Sequence, residues 1–286
     1  MSVSSAPGAA DLKSWIGRRA EVEDIAAAWP AAALSATLDR EDAPPATGEA
    51  LPPGWHWLYF LEAVRSSRLG EDGHAERGGF LPPVELPRRM WAGGRLIFHR
   101  PLCVGEAIRQ ESEILAIEEK EGRSGKLVFV TVRHVVTSEG ALAVEEEHDI
   151  VYRGAPGTAE RAKRSEPAPP EAAWQRRVVP DAVMLFRFSS LTFNAHRIHY
   201  DHPYVTQVEG YPGLVVHGPL QAILLLDLCR RLAPRPVRNF AFRALAPVFA
   251  GETLTLQGKP AEDGASAALW VAGEDGRQAM TAEARF

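Results

Sequence analysis

The sequence predicts an α+β protein of two similar units, each a curled antiparallel sheet around one apolar helix. Residues 154–173 contain four prolines among charged and small residues, which is typical of a linker. On each side of this segment, a helix-like apolar stretch is followed by about four strand-like runs. A helix followed by a run of strands favours a sheet that packs around that helix. We therefore predict an N-terminal domain (1–153), a linker (154–178) and a C-terminal domain (179–286).

The N-terminal domain is predicted to begin with a helical arm, residues 12–40, that lies outside the repeat. Apolar residues at helical spacing predict a central helix over 55–69. The glycine-rich stretch 122–126 resembles the end of a phosphate-binding loop, but Lys120 and Leu127 replace residues that such a loop requires, so a hairpin turn is predicted. Strands are expected over 95–98, 108–118, 127–136 and 142–152.

The C-terminal domain repeats this order with a stronger helix signal. Residues 183–188 form a short apolar run and are predicted to be a strand. Residues 215–232 are strongly apolar and are predicted to form the central helix. Further strands are expected over 237–243, 253–258, 267–272 and 278–286.

The composition is that of an ordinary globular protein and excludes several classes. The chain has 286 residues, of which 45% are hydrophobic and 24% charged, and its net charge of −5 argues against a nucleic-acid partner. Cys103 and Cys229 lie far apart, which favours a reduced, intracellular protein. The longest apolar run, 220–228, is too short to span a membrane, and residues 1–10 lack a secretory signal. A cytoplasmic location is expected.

Polar residues that suit proton transfer are concentrated in residues 193–201. Asn194, His196 and His199 fall within six residues, next to Arg197 and Asp201. Such groups are costly to bury without partners, so a functional role is favoured over a loop that merely caps the next helix. Histidines spaced three apart also suggest a metal site. However, no carboxylate lies at the usual helical spacing and a proline follows, so no metal is predicted.

A second element lies at the start of the predicted C-terminal helix, where His217 precedes Gly218. A helix N-terminus offers unpaired backbone N–H groups and the positive end of the helix dipole. Glycine leaves such an N–H group open to a carbonyl oxygen, so this position could stabilise the oxyanion that forms when water adds beside a thioester. A glycine that only permits close helix packing remains the alternative.

These motifs resemble those of the MaoC-like hot-dog hydratases, whose signature runs Asp-x-Asn-Pro-aliphatic-His, with a later His-Gly at the start of the hot-dog helix. Asn194 stands at the aspartate position, His196 at the asparagine, Arg197 at the proline and His199 at the histidine. Segments 192–201 and 79–94 are similar to ones that recur in the two-hot-dog branch. That branch contains itaconyl-CoA hydratase, mesaconyl-C4-CoA hydratase and type 2 hydroxyacyl-thioester dehydratases.

The resemblance implies a double hot-dog fold with its chemistry in the C-terminal domain. It implies that His199 is the general base acting on a water held with Asn194, and that the thioester oxygen lies against the Gly218 N–H. Because an amide cannot accept a proton at neutral pH, His199 must do most of this work. The remaining candidate substrate contacts are His196, Arg197 and His217. Four arginines could hold phosphate or carboxylate groups, although each could also be a plain surface charge; they are Arg88, Arg89, Arg187 and Arg243.

The resemblance also implies the substrate class. The expected reaction is hydration of a short enoyl-CoA, with a C5 dicarboxylic thioester such as itaconyl-CoA or mesaconyl-C4-CoA as the first choice. A 3-hydroxyacyl-thioester dehydratase and a non-catalytic acyl-CoA-binding protein remain alternatives. No cofactor beyond the CoA of the substrate is expected, and a homodimer is expected because hot-dog proteins commonly pair.

Overall fold

The computed structural model describes residues 11–122, 125–154 and 166–286, and ten antiparallel strands in it form one continuous sheet. Their spatial order is β1-β3-β4-β5-β2-β7-β10-β9-β8-β6. Residues 1–10, where no secretory signal is predicted, and residues 155–165 of the predicted linker lie outside the described residues. The strands are β1 (Arg19–Ile25), β2 (Arg88–Phe98), β3 (Ala107–Gly122), β4 (Gly125–Ser138), β5 (Ala141–Arg153), β6 (Trp174–Val178), β7 (Asn239–Ala244), β8 (Leu254–Pro260), β9 (Ser266–Ala272) and β10 (Gln278–Arg285).

The sheet consists of two five-stranded units placed in mirrored order. The first five strands of the chain occupy one half of the sheet and the last five the other half. The halves are joined by antiparallel pairing of β2 with β7, which runs from Gly93 opposite Arg243 to Ile97 opposite Asn239. The sheet therefore passes from one unit to the other without a break.

The strands predicted after the central-helix position of each unit are confirmed with shifts of up to four residues at their ends, except that the strand predicted over 95–98 begins at Arg88. β3 and β4 pair up to Gly122 opposite Gly125, which confirms the predicted hairpin, although residues 123–124 are outside the described part of the chain. β6, Trp174–Val178, pairs with β8 and so lies inside the sheet, whereas the sequence places residues 154–178 in the linker. It is an edge strand, and its residues alternate between partly buried and exposed and end at the buried Val178, which is typical of a strand with one covered face.

The central helix of the C-terminal unit is α3, Gly218–Leu232, as predicted. Every residue from Leu220 to Cys229 is buried, including Gln221 and Asp227, which is typical of a helix enclosed by the core on all sides. The helix packs against β6, β8, β9 and β10. Pro219 lies in its first turn, and Arg230 and Arg231 lie in its last turn, where positive charge complements the helix dipole.

The predicted helix over 55–69 is wrong. This stretch contains two short 3₁₀ turns, Trp55–Leu58 and Ser66–Arg68, and between them Phe60 adopts a positive φ of 61°, which ends helical geometry. The apolar residues instead bury a compact turn against α3: a Cβ on Gly54 would lie 2.6 Å from the side chain of Leu226. The N-terminal unit therefore differs from its partner at the position of the central helix.

The predicted strand over 183–188 is also wrong, because these residues belong to α2, Ala182–Leu191. Asp181 caps the helix by accepting a hydrogen bond from the Met184 N–H at 2.8 Å. The buried residues Leu185, Phe188 and Leu191 recur every three residues and form one helical face. A short apolar run does not distinguish a strand from a buried helical face, and the capping aspartate is the signal that does.

The predicted helical arm over 12–40 is correct only in its second part. Residues Ala28–Thr37 form α1, which packs against α2. Residues Arg19–Ile25 form β1 and pair with β3, so this stretch is part of the repeat. In the described residues, no helix is long and apolar enough to cross a membrane.

Candidate active site

A cavity of about 1590 Å³ lies between the two units. The C-terminal unit contributes the loop after α2, the start of α3 and part of the loop after β7. The N-terminal unit contributes residues 56–75 together with side chains of β2 and β5. The cavity includes Asn194, His196, His199 and Gly218, so the structure brings together four of the residues that the sequence predicts for the site.

The loop after α2 is fixed by its own polar groups. Phe193 adopts a φ of 47°, and the Asn194 N–H then donates to the Ser189 carbonyl at 2.8 Å, which reverses the chain. The Asn194 amide oxygen accepts a hydrogen bond from the His196 N–H at 3.0 Å and so stabilises the next turn. Asn194 therefore shapes the loop, and only the second lone pair of its oxygen remains to hold a water.

His199 is buried in one defined orientation. Its Nδ1 lies 2.7 Å from the carbonyl oxygen of Val215, so Nδ1 carries the hydrogen and Nε2 keeps its lone pair. Burial lowers the pKa of His199 to about 4, even though the bond to Val215 favours the charged ring. At neutral pH the ring is therefore uncharged and can accept a hydrogen bond or a proton at Nε2.

His217 supports His199 from behind. The two rings stack with centroids 3.6 Å apart, and the Nε2 of His217 lies 2.8 Å from the Ser189 hydroxyl. Burial lowers the pKa of His217 well below its usual value, so this ring is also neutral. His217 is 1% exposed and is not among the residues that line the cavity, which places it behind the site and not at the predicted substrate contact.

Gly218 begins α3 at the wall of the cavity. A Cβ at this position would meet nothing within 4 Å, so close helix packing does not explain the glycine. The first N–H groups of a helix have no partner inside the helix. The oxyanion-binding role of this position stays a prediction.

Arg197 holds the loop in place and does not line the cavity. Its guanidinium donates to the Asp201 carboxylate at 2.7 and 2.9 Å and to the Glu71 carbonyl at 3.0 Å. Asp201 also accepts a hydrogen bond from the Tyr204 N–H at 3.0 Å. Arg197 therefore stabilises the loop and is not the predicted substrate contact. Asp201 is bound to Arg197 and to the Tyr204 N–H, and not to His199.

The four candidate arginines divide into two groups. Arg89 and Arg243 line the cavity. Arg88 is paired with the Glu209 carboxylate at 2.7 Å and its carbonyl at 2.6 Å, and Arg187 is exposed on α2 away from the cavity lining. Of these four arginines, Arg89 and Arg243 are therefore the two placed to meet a ligand in this cavity.

Sequence reasoning missed Asp72 and His74, which reach the site from the N-terminal unit. The Nδ1 of His74 lies 3.0 Å from the Asp72 carboxylate, and the His74 ring lies 4.1 Å from that of His196. Gly73 makes this approach possible: its φ is +88°, and a Cβ would lie 1.9 Å from the Ala195 carbonyl oxygen. The Asp-Gly-His sequence of a tight turn was the one available signal.

Asp72, His74 and His196 are also the described residues whose arrangement could hold a metal ion. One ligand atom from each lies within 4.8 Å of the others. Burial, followed by the neighbouring His74, His199 and Arg89, lowers the pKa of His196 to about 2, so its ring is neutral. The absence of a metal stays a prediction, and these three residues are where it is to be tested.

A second buried polar group lies beneath the N-terminal wall. Glu146 accepts hydrogen bonds from His56 and from the Trp57 indole, both at 2.9 Å. Burial opposes the charge on Glu146, but these partners and the nearby imidazoles lower its pKa to about 2. His148 lies on the same strand and lines the cavity. The pairing of His56 with a buried carboxylate 90 residues away could not be seen from the sequence.

Comparison with known proteins agrees with this architecture. The model for "Hydroxyacyl-thioester dehydratase type 2" matches residues 54–250. The chain belongs to this family. It is 48% identical over 274 residues to mesaconyl-C(4)-CoA hydratase of Chloroflexus aurantiacus, covering 96% of this chain and 97% of the relative. It is 32% identical to the mitochondrial type 2 hydroxyacyl-thioester dehydratase of Schizosaccharomyces pombe, covering 72% and 77% of the two chains.

Solved structures confirm the fold of this type 2 dehydratase family member. HtdX of Mycobacterium tuberculosis superposes with a TM-score of 0.66 at 19% identity, covering 94% of this chain and 99% of that one. Another M. tuberculosis protein, described as having a double hotdog fold, gives a TM-score of 0.58 at 17% identity over 94% and 96%. The predicted double hot-dog fold, family and hydro-lyase class are confirmed.

Proposed function

We propose that this protein hydrates the double bond of a short enoyl-CoA thioester whose acyl group carries a second carboxylate. The observation that carries the proposal is the placement of His199, a neutral imidazole with its Nε2 lone pair available, in the same cavity as the open start of α3. One group acts on water and the other on the thioester oxygen, and hydration requires both.

The reaction begins with a water bound by His199 Nε2 and by the free lone pair of the Asn194 amide oxygen. An imidazole of the site, which the sequence predicts to be His199, takes one proton from this water while the oxygen bonds to the β-carbon. The electrons of the double bond move to the thioester oxygen, where the Gly218 N–H and the positive end of α3 stabilise the charge. The imidazolium then returns its proton to the α-carbon.

Two observations support a dicarboxylic substrate. A relative that is 48% identical over nearly the whole chain is named a mesaconyl-C(4)-CoA hydratase. In addition, Arg89 lines the cavity, and after burial its positive charge is among the causes that lower the pKa of both His74 and His196. A guanidinium this close to the reacting groups suits a second carboxylate on a short acyl chain.

A 3-hydroxyacyl-thioester dehydratase is the second candidate, since the matched family is named for that activity. The same atoms move in the opposite direction, so the site serves both reactions, and preference for acyl group separates them. An acyl-CoA-binding protein without turnover is disfavoured because the site retains neutral imidazoles beside the helix start. We further propose that the protein works in the cytoplasm as a homodimer, without metal or cofactor.

The test is enoyl-thioester absorbance with itaconyl-CoA, mesaconyl-C4-CoA, crotonyl-CoA and a long-chain enoyl-CoA. We expect rapid hydration of a dicarboxylic thioester and a fall of at least 100-fold in kcat for His199→Ala. His99→Ala is the control, because His99 is exposed and outside the cavity lining. Arg89→Gln should raise KM for the dicarboxylic substrate and leave KM for crotonyl-CoA within a few-fold.

Three outcomes would contradict the proposal. Near wild-type turnover by His199→Ala would show that His199 takes no part in the reaction. Preference for the long-chain substrate would favour the dehydratase of fatty acid metabolism. Tight binding without turnover of any thioester would favour the non-catalytic protein.

A further inference from the structure

A partly buried carboxylate–imidazole pair, Asp72 and His74, lies beside the predicted site, and His74 lines the cavity. It comes from the N-terminal unit, on a turn closed by the Gly70 N–H to the His74 carbonyl at 2.7 Å. The turn is attached to the C-terminal loop by the Arg197 N–H, which donates to the Asp72 carbonyl at 2.9 Å. The pair is therefore held against the loop that carries His196 and His199 by backbone contacts as well as by its side chains.

The pair supplies a carboxylate that the C-terminal loop does not offer to its imidazoles. Position 194 is an asparagine with its oxygen already engaged in the turn, and Asp201 is bound to Arg197. Asp72, in contrast, accepts from His74 Nδ1 at 3.0 Å through one oxygen and from the His74 N–H at 3.0 Å through the other. This arrangement leaves His74 Nε2 as a free acceptor.

His74 and His199 differ in how well each can carry a proton. The partner of His199 Nδ1 is an uncharged carbonyl, and its ring is stacked on a buried neutral ring. The partner of His74 Nδ1 is an anion, which stabilises an imidazolium by direct charge pairing. Because Asp72 accepts the hydrogen of His74 Nδ1, the lone pair of the His74 ring lies at Nε2.

We propose that His74 is a catalytic residue that takes the proton of the attacking water and returns it to the α-carbon, with Asp72 as its positioning residue and His199 holding the water. The oxygen–hydrogen bond of the water breaks, the proton goes to His74 Nε2, and the oxygen bonds to the β-carbon. The same proton then forms the new α-carbon–hydrogen bond, so no other reactant is needed. This inference rests on the proposed hydratase activity and reassigns one step of it.

The test compares His74→Gln and Asp72→Asn with wild type. Asparagine preserves the oxygen that caps the turn but presents an N–H to His74 Nδ1. It therefore forces the hydrogen onto Nε2 and removes the acceptor. We expect kcat to fall by about 10²–10⁴-fold for His74→Gln and Asp72→Asn, with KM within a few-fold. The matched control is the exposed pair His99 and Glu145, which lie 2.7 Å apart; His99→Gln and Glu145→Gln should change neither constant.

A readout that does not depend on turnover is the tautomer of His74, measured by nitrogen-15 NMR with His74→Gln as the assignment control. Wild type should show Nδ1–H and Asp72→Asn should show Nε2–H. The inference is overturned if His74→Gln keeps more than a tenth of kcat, or if the tautomer is the same in Asp72→Asn. It is also overturned if purified protein holds one equivalent of transition metal that His74→Gln loses.

These results separate the two proposals. If wild type hydrates a thioester and His74→Gln does so equally well, the hydratase proposal stands and only the role of His74 fails. If wild type hydrates none of the thioesters tested, both fail. If His74→Gln does not fold, as judged by circular dichroism, Asp72→Asn decides the outcome because it retains the hydrogen bond that shapes the turn.

Discussion

The buried, neutral state of His199 predicts how the stability of this protein depends on pH. The perturbation is His199→Phe, which keeps an aromatic ring for stacking on His217 but removes the titrating nitrogens. In the folded protein the pKa of His199 is lowered to about 4, chiefly by burial, while an unfolded histidine has a pKa of about 6.5. Below pH 6.5 the unfolded chain binds a proton that the folded chain does not.

The sign follows from this difference. The contribution of His199 to the free energy of unfolding is complete above pH 6.5 and is lost as the pH falls toward 4. Each pH unit in that window is worth about 1.4 kcal/mol, so a decrease from pH 7 to pH 5 removes about 2 kcal/mol. Wild type should therefore lose about 2 kcal/mol more over this interval than His199→Phe does.

The assay is urea unfolding at pH 7 and pH 5, with the free energy of unfolding compared within each protein. The Val215 carbonyl loses its partner in His199→Phe, but this cost is the same at both pH values and cancels in the comparison. His202→Phe is the control: the ring is exposed, so its loss with pH should equal that of wild type. Equal losses for wild type and His199→Phe would show that the ring is not buried in its neutral form.

Two further predictions concern the turn and the core. Gly73→Ala should lower kcat at least tenfold, because the added Cβ would move the Asp72–His74 turn away from Ala195. Gly79→Ala is the control and should have near wild-type kcat, because nothing lies within 4 Å of its added Cβ. Retained activity in Gly73→Ala would show that the turn does not hold the site. Asp227→Asn should lower the free energy of unfolding by about 3–5 kcal/mol and Tm by roughly 5–20 °C, as measured by calorimetry. The reason is that the buried Asp227 carboxylate accepts hydrogen bonds from three arginines at 2.5, 2.7 and 3.0 Å. Glu171→Gln, which breaks an exposed pair, should leave Tm nearly unchanged, and an equally small change for Asp227→Asn would contradict this assignment.

The parts of the fold that the sequence predicts correctly are those with strong local patterns. α3 is apolar on all sides and begins with Gly-Pro, and the long strands of the N-terminal unit have glycine-containing turns between them. The errors occur where an apolar run is short. Residues 183–188 are too few to show a helical period, and the spacing in 55–69 reflects contact with α3, which is distant in sequence.

The site residues that the sequence predicts are likewise those that lie close together in the sequence. Asn194, His196, His199 and Gly218 lie close together in the sequence, so their types and spacing indicate a proton-transfer site. His217 and Arg197 belong to the same motif, but His217 stacks on His199 and Arg197 pairs with Asp201, so neither lines the cavity. Residue spacing does not show in which direction these side chains point. Asp72 and His74 lie in the other unit, and only the fold brings them to His196.

The difference between the two units explains why the site is composite. In the C-terminal unit α3 fills the space under the sheet, whereas in the N-terminal unit residues 51–87 form turns and extended chain instead of a helix. Many of these residues line the cavity. They also place the Asp72–His74 turn against the C-terminal loop, where Gly73 lies next to the Ala195 carbonyl. A helix at this position would hydrogen-bond its own backbone and could not present such a turn. Residues 51–87 therefore both stand where a second central helix would lie and place a carboxylate beside the histidines.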